Sequence, residues 1–175
     1  YVANSDGTVV THGPTNLMWK RCVEGQTWTG STCSNTTINI MTFDQATAFS
    51  SVFAGYSDWR LPTEDELLSL VDYSTDNPAI NSSIFPITPS AVSWSSSPYV
   101  NSSIRAWGVD FSNGYVYDNG RNGSYAVRLV RGGRPSGSFV LAVSKSGTGT
   151  GSVTSSPTGI NCGTACSSTF TSDSS

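Results

Sequence analysis

Tyr56-Ser57-Asp58-Trp59-Arg60-Leu61-Pro62-Thr63-Glu64-Asp65-Glu66-Leu67-Leu68 is the stretch on which the reading of this chain turns. Thr63 and Glu66 have the spacing of a capping box, in which a hydroxyl accepts from the N–H three residues on and the Glu side chain reaches back. A helix is predicted over Thr63–Val71, with Leu67, Leu68, Leu70 and Val71 as its apolar stripe. Glu64, Asp65 and Glu66 can also be read as an acid/base or metal cluster, but three carboxylates in a first turn fit the positive end of the helix dipole better. Trp59, Leu61 and Pro62 are expected to set core and turn geometry. Arg60 and the later Arg131 are expected to partner backbone carbonyls or carboxylates.

Working upstream, Phe43, Ala46, Phe49 and Phe53 fall at three- and four-residue steps and predict a second helix over Phe43–Phe53. Downstream the pattern turns to β. Val92–Ser95 is a short strand; Ala106–Phe111 and Tyr115–Asp118 flank Ser112-Asn113-Gly114, an Asn-Gly hairpin signal; Tyr125–Arg131 is a further strand. Trp94 and Trp107 are expected in the core. Helices set between an early strand and a late run of antiparallel strands give an α+β domain.

Composition bounds the rest. Of 175 residues only 12% are charged and the formal net charge is −3, with an isoelectric point near 4.9. That balance argues against nucleic acid and against anionic membrane as partners, and no apolar run is long enough to insert across a bilayer. Cys22 and Cys33 bracket ten residues; Cys162 and Cys166 bracket three. The second spacing can serve zinc, but His12 is the only histidine and no thiolate pair repeats at finger spacing. Two local disulfides in an oxidising, extracellular setting fit better. Composition shifts at Gly132–Gly137, so a first domain is expected over 1–134 and a linker with a short β-rich segment over 135–175. Phe139–Ser144 and Gly151–Ser155 are its expected strands.

Several stretches also carry a resemblance. Thr15-Asn16-Leu17-Met18-Trp19, then Ser57 to Thr63 with Glu66-Leu67, resemble the "TGLMW" and "SDWRLPT-x-x-EL" signatures of the Lcl C-terminal domain family. Val71-Asp72-Tyr73, Pro78-Ala79-Ile80-Asn81, Phe85-Pro86, Trp94 to Ser97 and Val130 to Gly133 follow in the family's order, and Cys22 and Cys33 match its frequent loop cysteines. The resemblance spans about Val9 to Gly133. Asn16 stands where the family usually has Gly, and a local turn change is expected there. The resemblance implies a C-type-lectin-like fold related to the formylglycine-generating-enzyme fold, a bacterial cell-surface or extracellular location, binding of a protein or glycan on another cell, phage or host surface, and homo-oligomers such as trimers. The segment from Ser144 resembles the opening of a bacterial surface β-repeat.

Candidate ligand residues cluster in Asn101–Tyr125, where 17 of 25 residues are Asn, Ser, Asp, Gly or Tyr. Strand alternation places Trp107, Val109, Phe111 and Val116 inward, and Gly108, Asp110, Tyr115 and Tyr117 outward. Tyr with Ser, Asn and Gly is the palette of antibody paratopes. The ligand-binding set read from the sequence is Asn101, Ser102, Ser103, Arg105, Asp110, Ser112, Asn113, Tyr115, Tyr117, Asp118, Asn119, Asn122, Ser124 and Tyr125. The same palette is what mutation of adenines in Asn codons produces, and the resemblance brings in diversity-generating retroelements, which act on proteins of this fold. A polar surface hairpin of fixed sequence is the plain alternative. Asp110 and Asp118 are candidates to help hold calcium. Enzyme chemistry finds no support: the paired late cysteines of the formylglycine-generating relatives have no counterpart, and no G-x-S-x-G elbow or phosphate-cradling loop is present. Two functions stand: a ligand-binding adhesin or receptor module, or a structural module of a surface stalk or filament.

Overall fold

The computed structural model describes residues 1–34, 37–132, 138–144, 151–154, 160–162 and 166–171. Backbone contacts divide the chain into Tyr1–Arg131 and Gly132–Ser175. In chain order the first unit has β1 (Val2–Ala3), β2 (Val9–His12), β3 (Leu17–Lys20), β4 (Ile40–Met41), α1 (Phe43–Ala48), α2 (Glu64–Leu68), β5 (Val92–Pro98), β6 (Arg105–Asp110), β7 (Tyr115–Gly120), β8 (Tyr125–Ala126) and β9 (Val130–Gly132), the last running one residue past the boundary. The second unit has β10 (Ser138–Ala142) and β11 (Ser167–Thr171).

Two sheets form the first unit, a four-stranded one ordered β1-β2-β3-β9 and a five-stranded one ordered β4-β8-β5-β6-β7. The unit is a small, sheet-rich α+β domain with two short helices. One expectation is corrected here: the five-stranded sheet is mixed, because β8 pairs parallel with β5 through Ser93 and Ala126. The single strand expected over Tyr125–Arg131 is likewise two, β8 in one sheet and β9 in the other. The chain crosses between sheets at Val127–Leu129, all three buried, which alternation along one strand could not announce.

Both helices are shorter than their stripes. Thr42, one residue ahead of the predicted start, caps α1 in a capping box with Gln45, and Phe49 ends it in an extended conformation. Phe53 instead makes an isolated bridge with Tyr56. Thr63 caps α2 with Glu66 as expected, and Ser69 ends it. Leu70 and Val71 still pack inward, so the apolar spacing was read correctly while its backbone was not helical throughout.

Packing falls into two clusters. One holds Phe43, Trp59, Leu61, Trp94, Ala106 and Leu129; the other holds Trp19, Leu67, Ile80, Phe85, Val109 and Phe111. Buried indoles usually find a partner: Trp94 donates to the Met41 carbonyl at 2.8 Å and Trp59 to the Phe53 carbonyl at 2.9 Å, while Trp19 Nε1 has none among the described residues. Trp107, expected in the core, is half-buried with its ring edge-on to Tyr99 at 5.0 Å.

Cys22 and Cys33 are bonded, with sulfurs 2.09 Å apart, and Cys162 is bonded to Cys166. In the second unit β10 pairs not with Gly151–Ser155 but with β11; Thr154 makes an isolated bridge to Asn161. Residues 133–137 of the expected linker, and residue 155, lie outside the described residues.

Candidate functional site

The β6–β7 hairpin carries most of the sequence-derived residues. Its register pairs Asp110 with Tyr115, Val109 with Val116, Gly108 with Tyr117 and Trp107 with Asp118. Opposed residues share a face, so Tyr115, Tyr117 and Asp110 lie on one side, and Val116, Val109 and Asp118 on the other. Tyr115 and Tyr117 are 62% and 43% exposed, and the rings stand in solvent as alternation requires. The turn is longer than an Asn-Gly pair implies: four residues, Phe111 to Gly114, join the strands. Phe111 is buried and bonded through its N–H to the Ala91 carbonyl at 3.1 Å. Gly114 sits at φ +78°, and a Cβ there would fall 2.6 Å from Val71 Cγ1, so the turn is pressed against the segment after α2.

Asn113 organises the tip. Its Oδ1 accepts from the Tyr115 N–H at 2.9 Å, and its Nδ2 donates to the Tyr117 hydroxyl at 3.3 Å. Asp110 Oδ1 accepts from the Ser112 N–H at 2.8 Å. Asn119 donates to the Tyr117 carbonyl at 2.9 Å. Asn113 thus ties the turn to β7 through the Tyr115 backbone and the Tyr117 hydroxyl.

The remaining candidates occupy the opposite end of the hairpin, six strand residues or roughly 20 Å away. Arg105 pairs with Asp118 at 3.1 Å. Ser102 is half-buried, while Asn101, Ser103, Asn122 and Ser124 are exposed. Tyr125 is half-buried: its ring lies edge-on to Trp94 at 4.8 Å and packs on the core.

The signature stretch binds these parts together. Asp58 accepts a two-pronged contact from Arg131 at 2.8 and 3.1 Å, and the Arg131 guanidinium stacks on Tyr56 at 3.6 Å. Arg60 grips Glu66 with both nitrogens at 2.7 Å, and its backbone exchanges two hydrogen bonds with Val130. The Pro62 carbonyl accepts from Ser96 at 2.7 Å. The stretch thus reaches α2 through Glu66, β5 through Ser96 and β9 through Val130 and Arg131, and the profile of the Lcl C-terminal domain matches residues 8–131.

The chain belongs to the Lcl C-terminal domain family. No curated protein matches it. In this Lcl C-terminal domain Asn16 has φ +54°, the left-handed region that glycine favours and that Asn enters at low cost; Asn therefore meets the turn's demand itself.

At the far end of the hairpin Ser103, Arg105 and Asn122 of the sequence-derived set line a groove whose other residues sequence reasoning missed. It is about 930 Å³ and is lined by Thr42, Asp44, Ile104, Arg105, Arg121 and Asn122, among others. Arg121 is its hinge: it pairs with Asp44, donates to the Ser103 carbonyl at 3.1 Å and lies over the Phe43 ring at 4.6 Å. Arg121 stood inside the Asn101–Tyr125 segment but outside its Tyr/Ser/Asn palette, and Asp44 arrives from a helix far away in sequence. Asp110 and Asp118 face opposite sides of the hairpin, so they cannot share a calcium ion. Among the described residues no three His, Cys, Asp or Glu side chains gather as metal ligands.

Proposed function

We propose that the Tyr1–Arg131 unit is an extracellular or surface-displayed ligand-binding module of C-type-lectin-like architecture. It engages a protein or glycan on another cell, phage or host surface through the outward face of the β6–β7 hairpin, and it works by binding, without turnover. One observation carries the reading: Tyr115 and Tyr117 stand 62% and 43% exposed on one face, with Asn113 bonded to both. Rigid exposed aromatics among short polar groups are the make-up of a binding hot spot. The two disulfides and the sparse charge support the extracellular setting.

The test is binding of the chain to glycan arrays and to intact cells, with and without Tyr115→Ala and Tyr117→Ala together. The double variant is expected to lose about 2 kcal/mol or more of affinity at unchanged melting temperature, because neither ring is in a core cluster. Unchanged binding by the folded double variant refutes the site. Self-assembly with no binding signal favours the stalk-module reading. A reverse transcriptase gene beside a near-copy of the Asn101–Tyr125 coding region would make the surface a diversified one.

A further inference from the structure

A pocket of about 200 Å³ lies beside the Cys22–Cys33 disulfide and shares no residue with the hairpin or the groove at its end. We propose that it binds a small neutral polyhydroxy ring of the monosaccharide class. The proposal goes beyond the hairpin reading and does not rest on it.

The polar side of the pocket is built from a buried ion pair. Lys20 is 7% exposed, and its Nζ lies 2.7 Å from Glu24 Oε1, 2.8 Å from Ser51 Oγ and 4.5 Å from the centre of the Phe53 ring. Two oxygen acceptors leave an ammonium with three N–H groups able to donate once more. Gln26 supplies the complementary need. Its Nε2 donates to the Ile87 carbonyl at 3.1 Å, while its Oε1 is buried with no hydrogen-bond partner among the described residues. A buried acceptor left unmet is costly; Oε1 is closed to solvent, and a turn of the Gln26 amide toward the pocket lets a ligand donate to it while accepting from Lys20. Hydroxyl groups supply both.

Charge and shape narrow the class. Lys20 and Glu24, the charged side chains of the lining, are paired with one another, so neither is left to receive the charge of an ionic ligand. Trp28, Phe53 and Val23 line the apolar side, a surface suited to the C–H face of a sugar ring. Trp28 is held in place by the Arg21 guanidinium stacked 4.0 Å from its ring centre, and Arg21 is itself tied to the Ile84 carbonyl at 2.9 Å. The volume equals that of about seven waters at liquid density: room for one small ring, too little for a peptide helix or an oligosaccharide chain.

The experiment titrates the whole chain with methyl β-D-glucopyranoside and methyl β-D-galactopyranoside, following the Trp28 indole N–H and the amides of Val23, Gln26 and Thr27 by proton–nitrogen NMR. Saturable movement of these signals is expected with at least one pyranoside, retained when Tyr115 and Tyr117 are both replaced by Ala. Gln26→Leu should weaken it about tenfold, and Trp28→Phe, which keeps a ring under Arg21, should weaken it while preserving the dispersed spectrum of a folded domain. The proposal is overturned if both pyranosides give only linear, unsaturable shifts, the mark of a pocket that holds water alone. It is equally overturned if folded Gln26→Leu and Trp28→Phe respond as the native chain does.

Discussion

Arg128 shows how much one side chain can hold at the residue scale. It is fully buried where the chain leaves β8 for β9, and its Nη1 donates to the carbonyls of Lys20 and Arg21 at 3.0 and 2.6 Å. Its Nη2 donates to the Thr88 hydroxyl at 2.8 Å, and the guanidinium lies over the Phe85 ring at 4.9 Å. Burial pulls its pKa down to about 9, against the pull of the Glu24 charge, so it is charged at neutral pH and folding carries a cost for that. The sign follows: the cost is present below about pH 9 and shrinks as pH rises beyond it, the reverse of a base that gains a carboxylate. Methionine at this position would fill the space yet strand two carbonyls and a hydroxyl. Arg128→Met is therefore expected to destabilise by about 3 kcal/mol or more, read as a fall in the urea midpoint at constant slope. Arg128→Lys should not rescue it, since a point ammonium cannot span the same fork. The sequence singled out Arg131 by its place in the signature and gave Arg128, three residues earlier, no mark; only the crossing of the chain between sheets buried it.

At the scale of elements, α2 survives at five residues because its ends are secured by side chains. The Thr63 hydroxyl accepts from the Glu66 N–H at 3.3 Å, and Glu66 returns a contact to the Thr63 N–H at 2.8 Å while holding Arg60. Burial pushes the Glu66 carboxyl up, but the Arg60 and Thr63 hydrogen bonds outweigh it and the net shift is downward. A carboxylate with a depressed folded pKa contributes stability that is complete above its ordinary value near 4.3 and is lost as pH falls through the lower, folded one. Asp58 moves the same way, chiefly through its hydrogen bond to Arg131. Glu66→Gln can keep the cap, since Gln serves at that position, but not the charge. It is expected to cost about 1 kcal/mol at pH 7 and to flatten the fall in melting temperature between pH 5 and 3, both measurable by calorimetry. The capping box was legible because it is a local contract within four residues. Helix length was not, because Leu70, Val71, Phe49 and Phe53 are apolar for reasons of packing after the helical hydrogen bonds have stopped.

At the scale of the whole molecule, the disulfide and the signature stretch do complementary jobs. Cys22–Cys33 closes a loop of sequence separation 11, both cysteines are buried, and Cys22 borders the pocket with Lys20 and Trp28. In the chain-entropy account, removing it by Cys22→Ala and Cys33→Ala should cost about 2–3 kcal/mol; a melting temperature that does not fall under the same conditions contradicts this. The sequence by itself determined what rests on near neighbours: one capped helix and the apolar stripe of another, a hairpin whose Tyr115 and Tyr117 face out, local cysteine pairing, and a family signature running from Ser57 to Gly133. Period-two and period-three-to-four patterns record which side of an element is apolar, and caps and turns are settled within a few residues. Only the tertiary structure decided how β8 and β9 part into different sheets, that β8 runs parallel to β5, and that Tyr125 packs on Trp94. It alone brought Asp44 to Arg121 across 77 positions and Lys20 to Ser51 across 31. Those pairings depend on how two sheets fold against each other, and an alternation pattern tells each residue which way to face without telling it whom it will meet.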